Sequence, residues 1–162
     1  ADPGAAPDLL CIGKSMAGGF PISACIGRAG VMDAWGMATG GAIHTQTFLG
    51  HPVGSAMALA ALGELDHIVP TVNPKGDWLT AQLRHHGFGV RGSGLLLGVD
   101  VPDPLTASRR LMERGFIVLP AGEPDELIPG EQGSGLTLAL TPPLTITRGQ
   151  LAAFVAALVE VA

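Results

Sequence analysis

Tyrosine is absent from the 162 residues, aromatics make up only 4%, and charged residues only 14%. Lysine occurs at two positions, Lys14 and Lys75, and no run of Lys or Arg appears anywhere. With a formal net charge of -5, that excludes the basic stripe that a nucleic-acid or anionic-membrane surface needs. Cysteine occurs twice, at Cys11 and Cys25, too few for a disulfide framework. Both sit in apolar, strand-like stretches and are expected to be free, buried thiols. Apolar runs are short: the stretch near Ala56–Leu62 falls well below the length that spans a bilayer. No charged-then-apolar leader is visible, so a cytoplasmic location is expected. The opening Ala1–Pro7 reads as a small Pro/Gly-rich linker, as if the chain began inside a longer polypeptide. No metal-ligand cluster stands out.

What is abundant is apolar and flexible. Hydrophobic residues make up 47% of the chain, ample for a buried core. The 24 glycines and 13 prolines lie between apolar runs and read as turns and close backbone approaches. Leu9–Ile12 reads as a short buried strand ending at Gly13-Lys14. Ala17–Phe20 is a Gly-rich turn, and Pro21–Gly27 a returning strand. Val31–Trp35 suits one helical turn, Gly36–Gly41 a loop, and Ile43–Leu49 is polar and β-leaning. Pro52–Ile68 has a helix pattern, Ala-rich, with proline early, where its missing N–H does no harm.

Pro70 and Pro74 predict a break near Val69–Asn73. Beyond it come a helix at Lys75–His86 ended by Gly87, and strands in Val90–Val101 around Gly92-Ser93-Gly94. An amphipathic helix follows at Leu105–Arg114, with Leu105, Leu111 and Met112 on its apolar side. Strands are expected at Phe116–Leu119 and Leu136–Leu140, and a closing helix at Leu151–Val161. The division expected is 1–70 and 71–162, the second part being a small α+β domain.

Lys75 lies in a polar Asn-Pro-Lys-Gly-Asp turn and reads as solvated. Lys14 follows four apolar residues and precedes Ser-Met-Ala-Gly-Gly, which would hold it against a dry strand end. Burial disfavours an ammonium ion, and a neutral amine can attack an aldehyde; a guanidinium cannot. A lysine snorkelling from a strand end fits the same spacing.

The stretch from Pro7-Asp8 through Gly13-Lys14-Ser15-Met16-Ala17-Gly18-Gly19-Phe20-Pro21 to Ala24 resembles the signature of class III aminotransferases. Gly27-Arg28 and Val31–Ala34 continue the likeness to the omega-amino-acid branch. His44-Thr45-Gln46-Thr47-Phe48-Leu49-Gly50-His51-Pro52 is similar to a second block of that family. Val90–Gly98, Gly115–Gly122 and Thr141–Thr147 follow in the family's order. The likeness thus runs over nearly the whole chain.

The resemblance implies the C-terminal part of a fold-type I subunit: the end of a large α/β domain (1–70), then a small α+β domain (71–162). It implies pyridoxal 5'-phosphate as cofactor and Lys14 as its Schiff-base lysine and proton carrier. Thr47 would hold the cofactor's phosphate across the interface with a second identical subunit; by its surroundings alone it reads as a cap or turn threonine. Ser15 and Gln46 are weaker polar candidates. The implied partners are an amine donor and a 2-oxo acid acceptor, without nucleic acid or membrane. Substrate-contacting residues are not assigned. The family's acid for the cofactor's ring nitrogen, its same-subunit phosphate loop and its stacking aromatic have no match here. Ala139 stands where related enzymes often carry Arg, and Leu49 and His51 replace Gly and Asn. His51 could contact phosphate or simply pack, and Arg91 reads as structural. Two alternatives remain: another reaction on the same cofactor (aminomutase, epimerase, decarboxylase), or a non-enzymatic remnant serving as a dimerisation module. The 162 residues alone are expected to be inactive.

Overall fold

The computed structural model describes residues 6–35, 47–122 and 136–162. The chain divides into two compact units, Ala1–Asp66 and His67–Ala162. The loop expected at Gly36–Gly41 and Gln46 lie outside the described residues, as does most of the β-leaning stretch; its end, Thr47–Gly50, is a turn.

In the first unit, β1 (Leu9–Ile12) and β2 (Ala24–Gly27) pair antiparallel, Leu9 opposite Gly27 and Ile12 opposite Ala24. β2 starts three residues later than expected, because Pro21 brings no N–H to a ladder. A short α1 (Ala29–Met32) follows. The long α2 (Pro52–Ile68) has the predicted bounds, opened by Pro52. Both faces of the β ribbon stay open: Leu9, Leu10 and Ile26 keep 50%, 48% and 55% of their surface. Cys11 and Cys25 are free as expected, but exposed rather than buried. A two-stranded ribbon has no second layer of its own to cover them.

The second unit is α+β. β3 (Gly89–Ser93), β4 (Leu96–Asp100), β5 (Leu119–Gly122) and β6 (Leu136–Leu140) form an antiparallel sheet in the order β3-β4-β6-β5. Leu97 and Val99 of β4, two residues apart, share one face and join Leu138 and Leu140 of β6 in the core. α3 (Val72–His85), α4 (Pro104–Glu113) and α5 (Arg148–Val161) supply its other wall, through Leu79, Leu83, Leu111, Leu151 and Leu158. Thr137, on the opposite face of β6, satisfies its buried hydroxyl on the Val99 carbonyl at 2.8 Å.

α2 ends at Ile68, where the sequence predicts a break. A 3-10 turn at Val69–Thr71 leads directly into α3, with Pro70 and Pro74 placed at helix starts, where no N–H is needed. Lys75 is not simply solvated: it is half-buried and donates to the Leu144 carbonyl at 2.8 Å. α4 buries Pro104, Ala107, Ser108 and Leu111, the i, i+3, i+4, i+7 stripe, and leaves Leu105 and Met112 about half exposed.

The Asp103 carboxylate caps α4, accepting from the Thr106 N–H at 3.1 Å. Hydrogen bonding from the Thr106 side chain first, and then from this N–H, holds the Asp103 carboxyl below the usual value of 3.8. A depressed carboxyl stabilises the fold above the unfolded-state value and loses that contribution as pH falls through the folded one. Acid titration of unfolding should therefore show a limb below the ordinary Asp range that flattens in Asp103→Asn. An unchanged acid limb in that variant would remove the assignment.

Candidate functional site

Lys14 is where the first unit departs from ordinary backbone geometry. β1 ends at Ile12, Gly13 is fully extended, and Lys14 turns to φ 53°. It is the one non-glycine residue with positive φ among those described. An L-residue with a Cβ pays about 1 kcal/mol or more for that region. Such strain persists where the surroundings impose it, and it concentrates at functional positions.

Those surroundings are visible. Lys14–Ala17 forms a 3-10 turn, with Met16 N–H donating to Gly13 O at 3.1 Å and Gly18 N–H to Ser15 O at 3.0 Å. Ala17 at the turn's end is fully buried. Gly18 and Gly19, at φ 62° and 108°, then reverse the chain, as only glycine does cheaply. The strand ladder fixes both ends of this excursion, so the lysine is presented on a clamped loop.

The amine itself is not sheltered. Lys14 is exposed, contrary to the expectation of a dry strand end. The ribbon beside it is open: Leu9, Leu10 and Ile26 stay about half exposed. Asp8 is committed to Arg28, with carboxylate and guanidinium 3.2 Å apart and the Arg28 N–H donating to the Asp8 carbonyl at 3.1 Å. It ties the start of β1 to the end of β2.

Thr47 is exposed and opens the turn Thr47–Gly50 that leads into α2. His51 stands just before α2 and accepts from the Gly54 N–H through Nδ1 at 3.4 Å. Its ring lies 5.4 Å from that of Phe20 and 6.2 Å from that of Phe48. Packing and capping thus occupy His51. Phe20 ends the lysine turn, so the Phe20–His51 contact joins the Lys14 segment to the segment following Thr47. Gly54, buried, sharpens this: a Cβ there would meet the Phe20 ring at 3.0 Å and Ile22 at 3.2 Å. The small residues Gly54, Ser55, Ala56 and Ala58 predict close packing of this helix against a neighbour, and at Gly54 that neighbour is Phe20, which was not singled out. The available signal was a small residue in the first turn of a helix that must approach an aromatic.

In the second unit an apolar cavity of about 710 Å³ opens between β5, β6 and α5. Ala139 lines it with Leu119, Pro142 and Phe154, and none of the lining residues carries a charge. Arg91 is outside it, exposed and paired with Asp100 at 2.6 Å.

Comparison with known proteins places these features in context. The family model described as aminotransferase class-III matches residues 1–162. The leucine/methionine racemase of Thermococcus litoralis is 34% identical over 91% of this chain and 34% of its own length. An acetylornithine aminotransferase of Mycobacterium tuberculosis is 36% identical over 96% of this chain and 37% of its own. The crystal structure of an ornithine aminotransferase from Toxoplasma gondii superposes with a TM-score of 0.75 at 30% identity, covering 95% of this chain and 36% of that one. The chain therefore spans little more than a third of the length of the proteins it matches.

Proposed function

Because the chain belongs to the class-III aminotransferase family, whose enzymes depend on pyridoxal 5'-phosphate, we propose that Lys14 is its cofactor-anchoring lysine and Thr47 a phosphate contact. In a subunit of its relatives' length, the reaction is transfer of an amino group between an amine or amino acid and a 2-oxo acid. The observation that carries this reading is Lys14 in the left-handed region at the end of β1, held by a ladder on one side and a Gly-Gly turn on the other.

The residues present fit the cofactor in part. When bound, pyridoxal phosphate supplies an aldehyde for amines to join and a ring that withdraws electrons from the substrate carbon. Lys14 Nζ would hold the group at that aldehyde, and as a free amine it would serve as the base that moves a proton at the substrate carbon. The clamped loop would keep the amine within reach for both roles. The Thr47 hydroxyl, at a turn before the α2 N-terminus, would hold the cofactor's phosphate, where backbone N–H groups also favour an anion. The phosphate belongs to the site of a second identical subunit, and the enzyme works in the cytoplasm.

On this reading residues 1–70 belong to the cofactor-bearing domain and residues 71–162 to the small domain, a division four residues after that between the two compact units. The acid for the ring nitrogen comes from outside these 162 residues. The chain alone therefore has negligible turnover.

The test is chemical. A subunit of full family length is mixed with pyridoxal phosphate, reduced with borohydride, digested and mapped by mass. The label is expected on Lys14. Lys75 serves as internal control, since its amine is held by Leu144. Labelling of Lys75 instead, or of neither lysine, overturns the assignment. The 34% identical racemase favours one second reading, proton return to the same carbon. Solvent deuterium entering the amino acid with inversion, without any 2-oxo acid, would decide for it.

A further inference from the structure

The chain's two cysteines face each other. Cys11 of β1 and Cys25 of β2 are direct partners in the antiparallel register, so their side chains leave the same face of the ribbon. Directly opposed residues in such a ladder have Cα atoms about 4.5 or 5.5 Å apart, depending on the pair class. Both separations fall inside the roughly 4.4–6.8 Å that a disulfide accepts. Both thiols are free and exposed. They also sense one another: the Cys25 thiol is pushed above its usual value of 9.0, by its hydrogen bond with Cys11 first, then by burial and by the Cys11 charge. A metal would need further ligands, and among the described residues no group of three His, Cys, Asp or Glu gathers anywhere.

We propose that Cys11 and Cys25 form a dithiol redox site that closes to an intramolecular disulfide by exchange with a low-molecular-weight disulfide. One thiolate attacks a sulfur of R–S–S–R, forming a protein–S–S–R bond and expelling R–S⁻, which takes up a proton. The second thiolate attacks the protein-bound sulfur, closes the Cys11–Cys25 bond and expels the second R–S⁻. The protein gives up two protons and two electrons, and R–S–S–R leaves as two R–SH. The bridge would clamp the ribbon on either side of the turn that carries Lys14, the same turn whose geometry the ladder already imposes. Because the Cys25 thiol holds its proton more tightly than usual, closure quickens as pH rises.

The experiment reads sulfur alone, so it stands or falls independently of any cofactor. The reduced 162-residue chain is treated with excess glutathione disulfide at mildly alkaline pH, then assayed for free thiols and mapped by mass. Both thiols are expected to disappear together, with the Cys11 and Cys25 peptides linked and no lasting glutathione adduct. Cys11→Ser and Cys25→Ser should each keep one glutathione instead, with circular dichroism confirming that they fold. Stable glutathione on both cysteines overturns the proposal, as do disulfide-linked dimers. So do thiols that stay unreactive in the native chain yet react in urea.

Discussion

Lys14→Ala is expected to lower turnover of a full-length subunit by at least about 10²–10⁴-fold, the range that positioned proton transfer supplies. On the proposed reading the variant loses the amine that would anchor the cofactor and the base that would move the proton, while nothing in the core changes. Lys14 is exposed and packs against no buried cluster, so the fold should survive. Lys14→Arg should be as inactive as Lys14→Ala, because a guanidinium keeps its charge and does not condense with an aldehyde. Lys14→Gly separates the two roles of the position. It is equally inactive, but it relieves the cost of φ 53° and should gain about 1 kcal/mol against urea. A small added amine, such as methylamine, should restore part of the rate to the alanine and glycine variants. Retention of more than about a tenth of the activity by Lys14→Ala would remove the lysine from the mechanism.

Local chemistry was legible in the sequence where one residue type settles it. Pro52 marks the first turn of α2, and the bounds Pro52–Ile68 follow from it and the Ala-rich run. Leu9–Ile12 and Leu136–Leu140 likewise match the expected strands. What the sequence did not show were effects of tertiary context. The strand expected at Phe116–Leu119 lies instead at Leu119–Gly122. The close of α4 claims the earlier residues: the Phe116 N–H donates to Leu111 O at 2.9 Å, and Ser108 donates to Val118 O at 2.6 Å. Lys75 reads as a polar turn lysine until the distant Leu144 carbonyl is brought to it. Lys14 and the two cysteines follow apolar neighbours and so read as buried. Whether an apolar strand is buried depends on a second layer, and no residue within the strand reports that. The candidate site was legible as a motif around Lys14 and Thr47, and Gly54 as a place of close approach, but that Phe20 is the ring packed against Gly54 and His51 was not.

Two glycine-to-alanine substitutions in helices should move stability in opposite directions, and the difference tests how α3 is seated. Gly63 lies within α2, exposed, with nothing near the place a Cβ would occupy. Gly63→Ala should therefore stabilise by about 0.5–1 kcal/mol, the ordinary gain from restricting the unfolded chain and favouring the helix. Gly76 lies within α3 but is buried, and a Cβ there would fall inside the van der Waals radius of the Gly94 carbonyl. Gly94 cannot readily give way. It sits at φ 56° in the turn that joins β3 to β4, with Val72 Cγ1 3.0 Å from where a Cβ of its own would stand. The obstacle is backbone inside a hairpin rather than the end of a flexible side chain. Overpacking of that kind costs about 1–3 kcal/mol or more, against which the helix-propensity gain is the smaller quantity. Gly76→Ala should thus lose about 2 kcal/mol net, a large share of a typical domain's stability. Urea midpoints of the two variants on either side of the parent would show that α3 is held by backbone-to-backbone contact with the β3–β4 turn. If Gly76→Ala instead rises with Gly63→Ala, that contact is not what seats the helix.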